Sequence, residues 1–369
     1  DAEASYRKAL QHQAGFAAAH ANLAYTLRRQ GEMEEALENY QRALAIAPDS
    51  PEFLYNLGIT QHDLGRYRES AANLRRALQI KPDYTEAGLA LAYTWEAVRD
   101  YQGALTCYQE ILRIDPENAQ AHAGLAFVHY STGNYETALA SCGQALRVMP
   151  DCADAHFTLG SIYLARGDHQ QAIAACREAL RIRPNFHKAH SNLLLTLNYS
   201  PAYNPQHIYS EHIRWGQIHA LPGNNSASFS NLREREQRLR IGYISPDFYK
   251  HSVSFFFEPL LTNYDSDAFE TFCYSDVNNP DKTTERLTRL SDHWQSTFGM
   301  SDKQLLQQIR ADGIDILVDL TGHTANNRLQ VFTARAAPSA SRTWPRSRGP
   351  PRASDRRDRA RARSGTAFS

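Results

Sequence analysis

A chain of 369 residues with 42% apolar content is long enough for two or three domains with packed cores and too apolar for a disordered polymer. Lys plus Arg number 40 and Asp plus Glu number 40, so a formal charge of zero speaks against a nucleic-acid or membrane-surface binder that works through bulk electrostatics. No uncharged apolar stretch of 18 residues occurs and no charged-then-apolar leader precedes the first amphipathic segment, so no membrane span is expected and the chain reads as soluble and cytoplasmic. The first residue is Asp1 rather than Met, as in a fragment. Cys107, Cys142, Cys152, Cys176 and Cys273 form no CxxC pair and are read as reduced and mostly core-filling.

From the N-terminus the chain keeps a strict clock. Prolines stand at 48, 82, 116, 150 and 184, an unbroken spacing of 34. Gly31, Gly65, Gly133 and Gly167 share the period, which is missed only at Arg99, and Leu23, Leu57, Leu91, Leu125, Leu159 and Leu193 never miss. Small residues (Ala36, Ser70, Ala104, Ala138, Ala172) mark close helix approaches, each followed four residues later by a larger apolar one. Two antiparallel helices per 34 residues, Gly in the turn and Pro after the second helix form the tetratricopeptide pattern. Five repeats are predicted at 17–50, 51–84, 85–118, 119–152 and 153–186, with a partial helix before them and helix 187–199 opening a sixth. Such an array is an α-solenoid, a superhelix with a concave groove.

The residue before each repeat leucine faces that groove, and it is Asn22, Asn56 and Asn192 in three of six cases. An amide offers donor and acceptor together and suits the backbone of an extended peptide, so these three are candidate peptide-groove residues. His20, His122, His156 and His190 share another position. Separation by 34 residues puts each on its own repeat, and His187 with His190 has no third ligand nearby, so no metal is expected.

After Asn198 the period is lost. Residues 206–220 read as an amphipathic helix capping the solenoid's open end, and 222–230 as a Gly/Asn/Ser-rich linker. From Leu239 short apolar runs alternate with helical ones: strand 239–245, helix 252–263, strand 269–275, helix 280–292, helix 302–311 and strand 314–320, with a further short strand near 293–298. This is an incomplete α/β, Rossmann-like lobe built on a parallel sheet, without a phosphate-loop motif. Ligands collect beyond the carboxyl ends of such strands, where Ser245–Val253 and Thr321–Arg328 fall. Asp247 and His251, four residues apart, suit proton transfer or an anionic leaving group. A turn-capping Asp and a helix-starting His are the competing structural reading.

Together the repeats, Ser191–Tyr199 with Glu211–Trp215, Arg240–Phe248 and Asp319–Thr324 closely resemble bacterial members of glycosyltransferase family 41, the family of O-linked N-acetylglucosamine transferases and plant SPINDLY proteins. The resemblance runs from residue 1 to about 338 and is most specific over 239–335. It implies a tetratricopeptide superhelix that presents acceptor proteins or peptides to a two-lobed GT-B region. Sugar then passes from a nucleotide donor, UDP-GlcNAc in the favoured reading, to Ser or Thr hydroxyls with inversion and with no metal or other cofactor. By resemblance, Asp247 matches an aspartate of a proposed proton relay, and His251 a histidine lying against the donor's pyrophosphate and sugar. Ser252 and Val253 flank it, and Gly322 and His323 belong to a loop bordering the same cleft. Ser200 stands where many relatives have a histidine.

The expected organisation is therefore solenoid 1–199, capping helix and linker 200–238, first GT-B lobe 239–335, and a basic tail 336–369. That tail holds nine Arg and two Asp with no Lys or Glu, hence +7 against −7 for the first 335 residues. It lacks the apolar residues of a second lobe and is expected to be disordered, a product of a frameshift near 338 or else a basic segment for acidic partners. On this reading the chain is inactive alone. The rival is a non-catalytic scaffold for protein–protein contacts.

Overall fold

The 34-residue clock becomes a pair of helices repeated without slippage. The computed structural model describes residues 2–220 and 237–342, with backbone alone for the last three. Helix α1 (Ala2–His12) is followed by α2 (Ala17–Gln30) and α3 (Met33–Ile46), α4 (Pro51–Asp63) and α5 (Tyr67–Ile80), α6 (Thr85–Ala97) and α7 (Tyr101–Ile114), α8 (Ala119–Ser131) and α9 (Tyr135–Val148), and α10 (Ala153–Ala165) and α11 (His169–Ile182). A sixth unit opens with α12 (His187–Tyr199). Within pairs, the small residues at 36, 70, 104, 138 and 172 and the larger ones at Tyr40, Leu74, Tyr108, Cys142 and Cys176 have no exposed surface. Each large side chain so buried contributes about 1.5–3 kcal/mol, and each core takes residues from adjacent units.

The repeated histidines close turns. His20, His122 and His156 each bond through Nε2 to the carbonyl six residues back, at Ala14, Pro116 and Pro150 (2.9–3.1 Å).

Helix α13 (Pro205–Ile218) starts from Asn204, whose Oδ1 accepts from His207 N–H (2.8 Å), with Pro205 in the first turn. It lays Ile208 and Trp215 over Leu193, Leu194 and Leu197, and Leu329 of the lobe enters the same cluster. The lobe runs β1 (Leu239–Ser245), α14 (Ser252–Asn263), β2 (Phe269–Ser275), α15 (Lys282–Leu290), β3 (His293–Ser296), α16 (Asp302–Ala311), β4 (Ile316–Asp319), α17 (Leu329–Thr333) and β5 (Ser339–Arg342). All pairings are parallel, in the order β3-β2-β1-β4-β5.

The lobe corrects the expected boundary at 335. Ala336 and Ala337 are buried in its main core, and Ser339 N–H bonds to the Asp315 carbonyl (3.0 Å) as the chain adds an edge strand to β4. Small polar residues carry no strand signature, so only the exposed edge of β4 dictates this strand. The proposed linker over 222–230 and the rest of the tail, 343–369, lie outside the described residues.

Solenoid and lobe touch directly. Gln304 Nε2 donates to the Leu64 carbonyl (3.1 Å), and a Cβ at Gly65 would collide with the carbonyl oxygen of Gly299. Gly65 (φ 73°) and Gly133 (φ 80°) share a left-handed turn conformation, but open space surrounds Gly133. Gly133→Ala is therefore expected to cost about 1 kcal/mol from backbone crowding alone. Gly65→Ala should cost about 2–3 kcal/mol, because the junction must also shift. Urea unfolding of both variants checks this, and equal losses would show that the turn at 65 does not bear on the lobe.

Candidate functional site

In the order 3-2-1-4-5 the direction of winding reverses between β1 and β4, and the loops leaving their carboxyl ends part to form a crevice. Both segments singled out in the sequence leave the sheet there. The loop after β1 is built rigidly. Phe248 is fully buried, with its ring 5.0 Å from Phe257 and 5.4 Å from Trp294. Its carbonyl accepts from Thr284 Oγ1 (2.7 Å), Ser254 Oγ reaches the carbonyls of Asp247 (3.0 Å) and Tyr249 (2.7 Å), and Lys250 N–H donates to Asp281 Oδ2 (2.8 Å).

This frame sets Asp247 and His251 side by side, with 4.0 Å between Oδ2 and Nδ1. That is too long for a hydrogen bond, and Nδ1 instead accepts from Val253 N–H (3.3 Å), making His251 the N-cap of α14. A nitrogen that accepts carries no proton, so this bond assigns the ring proton to Nε2. Burial pushes the Asp247 carboxyl up, and the nearby His251 and Arg99 pull it back. Ser252 is exposed and Val253 half-buried in the first turn of the helix.

In the loop after β4, Asp319 accepts from Thr321 N–H (3.0 Å) and Gly322 N–H (2.8 Å), and Gly322 supplies a left-handed turn at φ 65°. His323 departs from its expected place on the cleft border. It is 8% exposed, bonded to His212 Nδ1 through Nε2 (3.1 Å) and to Ser191 Oγ through Nδ1 (3.2 Å), with its ring 5.2 Å from Trp215. Covering the solenoid's last apolar face draws this loop inward, so His323 joins the lobe to α12 and α13. A second buried chain adjoins it: His219 Nε2 bonds to His190 Nδ1 (2.9 Å), and His190 Nε2 to Glu211 Oε1 (2.9 Å).

Between the concave face and the lobe lies a chamber of about 970 Å³. Glu96, Arg99, Phe127, Phe157 and Lys188 line it from the solenoid, and Phe298 and Arg328 from the lobe. The residues 124 and 158, which share the repeat position of the predicted asparagines, line it as well, so that position does face the concavity. The asparagines themselves lie elsewhere. Asn22 is exposed, Asn56 Nδ2 donates to its own helix at Glu52 (2.9 Å), and Asn192 Nδ2 to Ser161 Oγ (2.8 Å).

Three chamber residues escaped sequence reasoning. Arg328 holds Asp276 (2.7 Å) and Asp302 (2.8 Å) at the junction. Burial raises the Glu96 carboxyl to about 7, while its Oε1 accepts from Tyr108 OH (2.6 Å). The third is Arg99, whose one legible signal was the absence of a turn glycine.

Residues 182–345 match the profile described as Glycosyl transferase family 41. Tetratricopeptide profiles match 24–65, 61–126, 96–156 and 128–185. The probable UDP-N-acetylglucosamine–peptide N-acetylglucosaminyltransferase SPINDLY of Arabidopsis thaliana is 37% identical over 157 residues, 42% of this chain and 17% of that protein. The UDP-N-acetylglucosamine–peptide N-acetylglucosaminyltransferase of Caenorhabditis elegans is 34% identical over 104 residues, 28% of this chain and 9% of its own length. Among solved structures, a mutant of the Thermobaculum terrenum O-GlcNAc transferase superposes with a TM-score of 0.64 at 33% identity, covering 70% of this chain and 50% of that one. The chain thus spans less than a fifth of these curated relatives and half of the solved enzyme. The family profile begins inside the solenoid, so α12 and α13 travel with the lobe they are packed against.

The buried histidines make the junction sensitive to acid. Burial lowers the affinity of His187, His190 and His219 for protons, His219 down to about 4. The unfolded chain takes up protons near 6.5, so the stability these neutral rings contribute is complete above that pH and drains away as pH falls towards 4. Unfolding midpoints measured between pH 7.5 and 4 should fall through this window, and His219→Gln should flatten the slope. A variant with the full wild-type slope would sink the assignment.

Proposed function

We propose, from the match of residues 182–345 to the glycosyl transferase family 41 profile, that this chain is the acceptor-presenting arm and first lobe of a protein O-glycosyltransferase. The observation that carries this reading is the Asp247–His251 pair at the sheet's switch point, on the lobe that closes the solenoid's chamber. In this reading an acceptor protein or peptide threads the solenoid groove and brings a Ser or Thr hydroxyl to the crevice. A UDP-sugar, UDP-GlcNAc by the family's chemistry, lies with its diphosphate at the N-terminus of α14. The hydroxyl oxygen bonds to the sugar C1 as the bond from C1 to the diphosphate breaks on the opposite face, inverting the anomeric carbon. Asp247 takes the hydroxyl proton, and the Nε2–H of His251 and the first N–H groups of α14 stabilise the departing diphosphate. No metal or other cofactor enters the scheme. This chain spans half of the solved enzyme it resembles, and transfer by it alone is expected to be slow or absent.

We place the protein in the cytoplasm. The five cysteines are unpaired, as befits a reducing compartment, and among the described residues no helix is long and apolar enough to cross a membrane.

Calorimetric titration of the chain with UDP tests the reading. Binding is expected, weakened about tenfold or more in His251→Ala, the loss of one charge-assisted hydrogen bond. Asp247→Asn should bind UDP as well as wild type and lose transfer wherever the chain is competent for it. Undiminished affinity in His251→Ala would remove that residue from the site. Capture of peptides with no UDP binding at all would favour the scaffold reading.

A further inference from the structure

One groove-facing position of the repeat stays apolar without a core to serve. Two residues after the repeat leucine stand Tyr25, Ile59, Tyr93 and Phe127 in the first four units, and Ser161 in the fifth. Tyr93 and Phe127 line the chamber, so the position faces the concavity. Tyr25 is 50% exposed and Tyr93 41%, while Ile59 and Phe127 are half-buried. Phe127 takes no part in the cores that join α8 to its neighbours. Ser161 shows that a small polar residue satisfies the fold at this position. Single apolar residues scattered over a surface need no explanation, but four in register along one groove do.

In the chamber this stripe broadens into a wall. The Phe127 ring is stacked on Phe157 of α10 with centroids 6.5 Å apart, and Phe157 lies 5.1 Å from Phe186. Phe186 is the fixed base, buried with Ala153, Ala179 and Ala189 beneath the Arg183 guanidinium, which stands 4.4 Å from the ring centroid. Phe157 and Phe127 continue from it into the lining, each half-buried. The lobe adds Phe298, whose ring lies under the Arg99 guanidinium (5.9 Å). The side-chain amides of Gln120, Asn185 and Asn326 are exposed beside these rings. Asn326 belongs to the loop after β4, so the chamber reaches a loop of the candidate transfer site itself.

We propose that this aromatic wall is a specificity subsite for the acceptor, taking a large apolar side chain of an extended segment whose Ser or Thr lies in the crevice. The inference rests on the reading of the solenoid groove as the acceptor's path, and deepens it. An extended chain fits because the stripe recurs once per unit over four units, farther than a compact small molecule reaches, and because exposed amides pair with a main chain whatever its sequence. Aromatic faces supply a large contact area at small entropic cost. At about 970 Å³ the chamber stands at the upper end of small-ligand sites and has room for such a segment. A segment of Ser, Thr and Gly alone would leave the wall in water. Acceptors are thereby sorted before their hydroxyl reaches the sugar.

The test uses the full chain and fluorescence anisotropy with labelled synthetic peptides. A single Phe is walked along a Ser/Thr/Gly background, and each peptide has a twin with Ala in its place. At one or more places of the Phe, affinity is expected to exceed that of the Ala twin by about tenfold, the effect of burying one aromatic side chain. Phe127→Ser, which installs the residue of the next unit, should keep its thermal midpoint near wild type and erase that preference, while the Ala twins bind as before. Phe127→Leu should retain most of it. Phe peptides that bind wild type no better than their twins would overturn the proposal, as would a preference undiminished in Phe127→Ser. Failure of UDP to bind would count against the transfer site and would leave the peptide preference standing.

Discussion

A tetratricopeptide unit buries its apolar face only against its neighbours, so the last unit of the array must be covered by something that is not a repeat. Here α12 lacks a second helix, and the deficit is made up from two directions. Ile208 and Trp215 of α13 cover Leu193, Leu194 and Leu197, and Leu329 of the lobe completes the cluster. One hydrophobic seam thereby fixes where the sheet stands relative to the groove. The chamber, the seating of the turns at 65 and 99 against the lobe, and the polar chains through His190 and His323 all depend on that placement. The imidazoles of His190 and His219 beside this seam are held neutral by burial.

The repeats were legible in the sequence because their forces are local. First helices begin at 17, 51, 85, 119, 153 and 187, where the proline clock placed them, since every unit meets the same neighbour in the same way. The strands and helices from 239 to 320 were equally open to reading wherever the apolar period was long enough, as in β1, β2, α14 and α16. What escaped notice depends on distant partners. The five-residue helix α17 is fixed by Leu329, which belongs to the solenoid's core, and β5 is a run of Ser, Ala, Ser and Arg that becomes a strand only beside β4.

At the site the boundary between legible and hidden follows the same line. The crevice and its two loops came from strand order, which the alternation of elements implies. The roles of single side chains came from contacts no spacing encodes. Position 124 in the asparagine ladder is glycine because the Tyr108 ring occupies the space a side chain there would need, and the Tyr108 hydroxyl is committed to Glu96. His190 shares its repeat position with turn-closing histidines, yet the capping helix brings it Glu211 and His219 instead. Arg99 registered as a missing glycine, although the gap is where the solenoid reaches the lobe.

The geometry of His251 carries a further consequence for how such a site holds an anion. Its Nδ1 serves either as acceptor for the Val253 N–H or as donor to Asp247, and the 4.0 Å separation means that a small ring movement exchanges one partner for the other. A proton on Nδ1 would forfeit the helix cap, gain a charge-assisted bond to the carboxylate and release a backbone N–H at the start of α14. That released donor, the imidazolium and the helix terminus all favour negative charge at one place. Cap and cation are thus alternative arrangements of one side chain, and under the proposed reading an arriving diphosphate would favour the second.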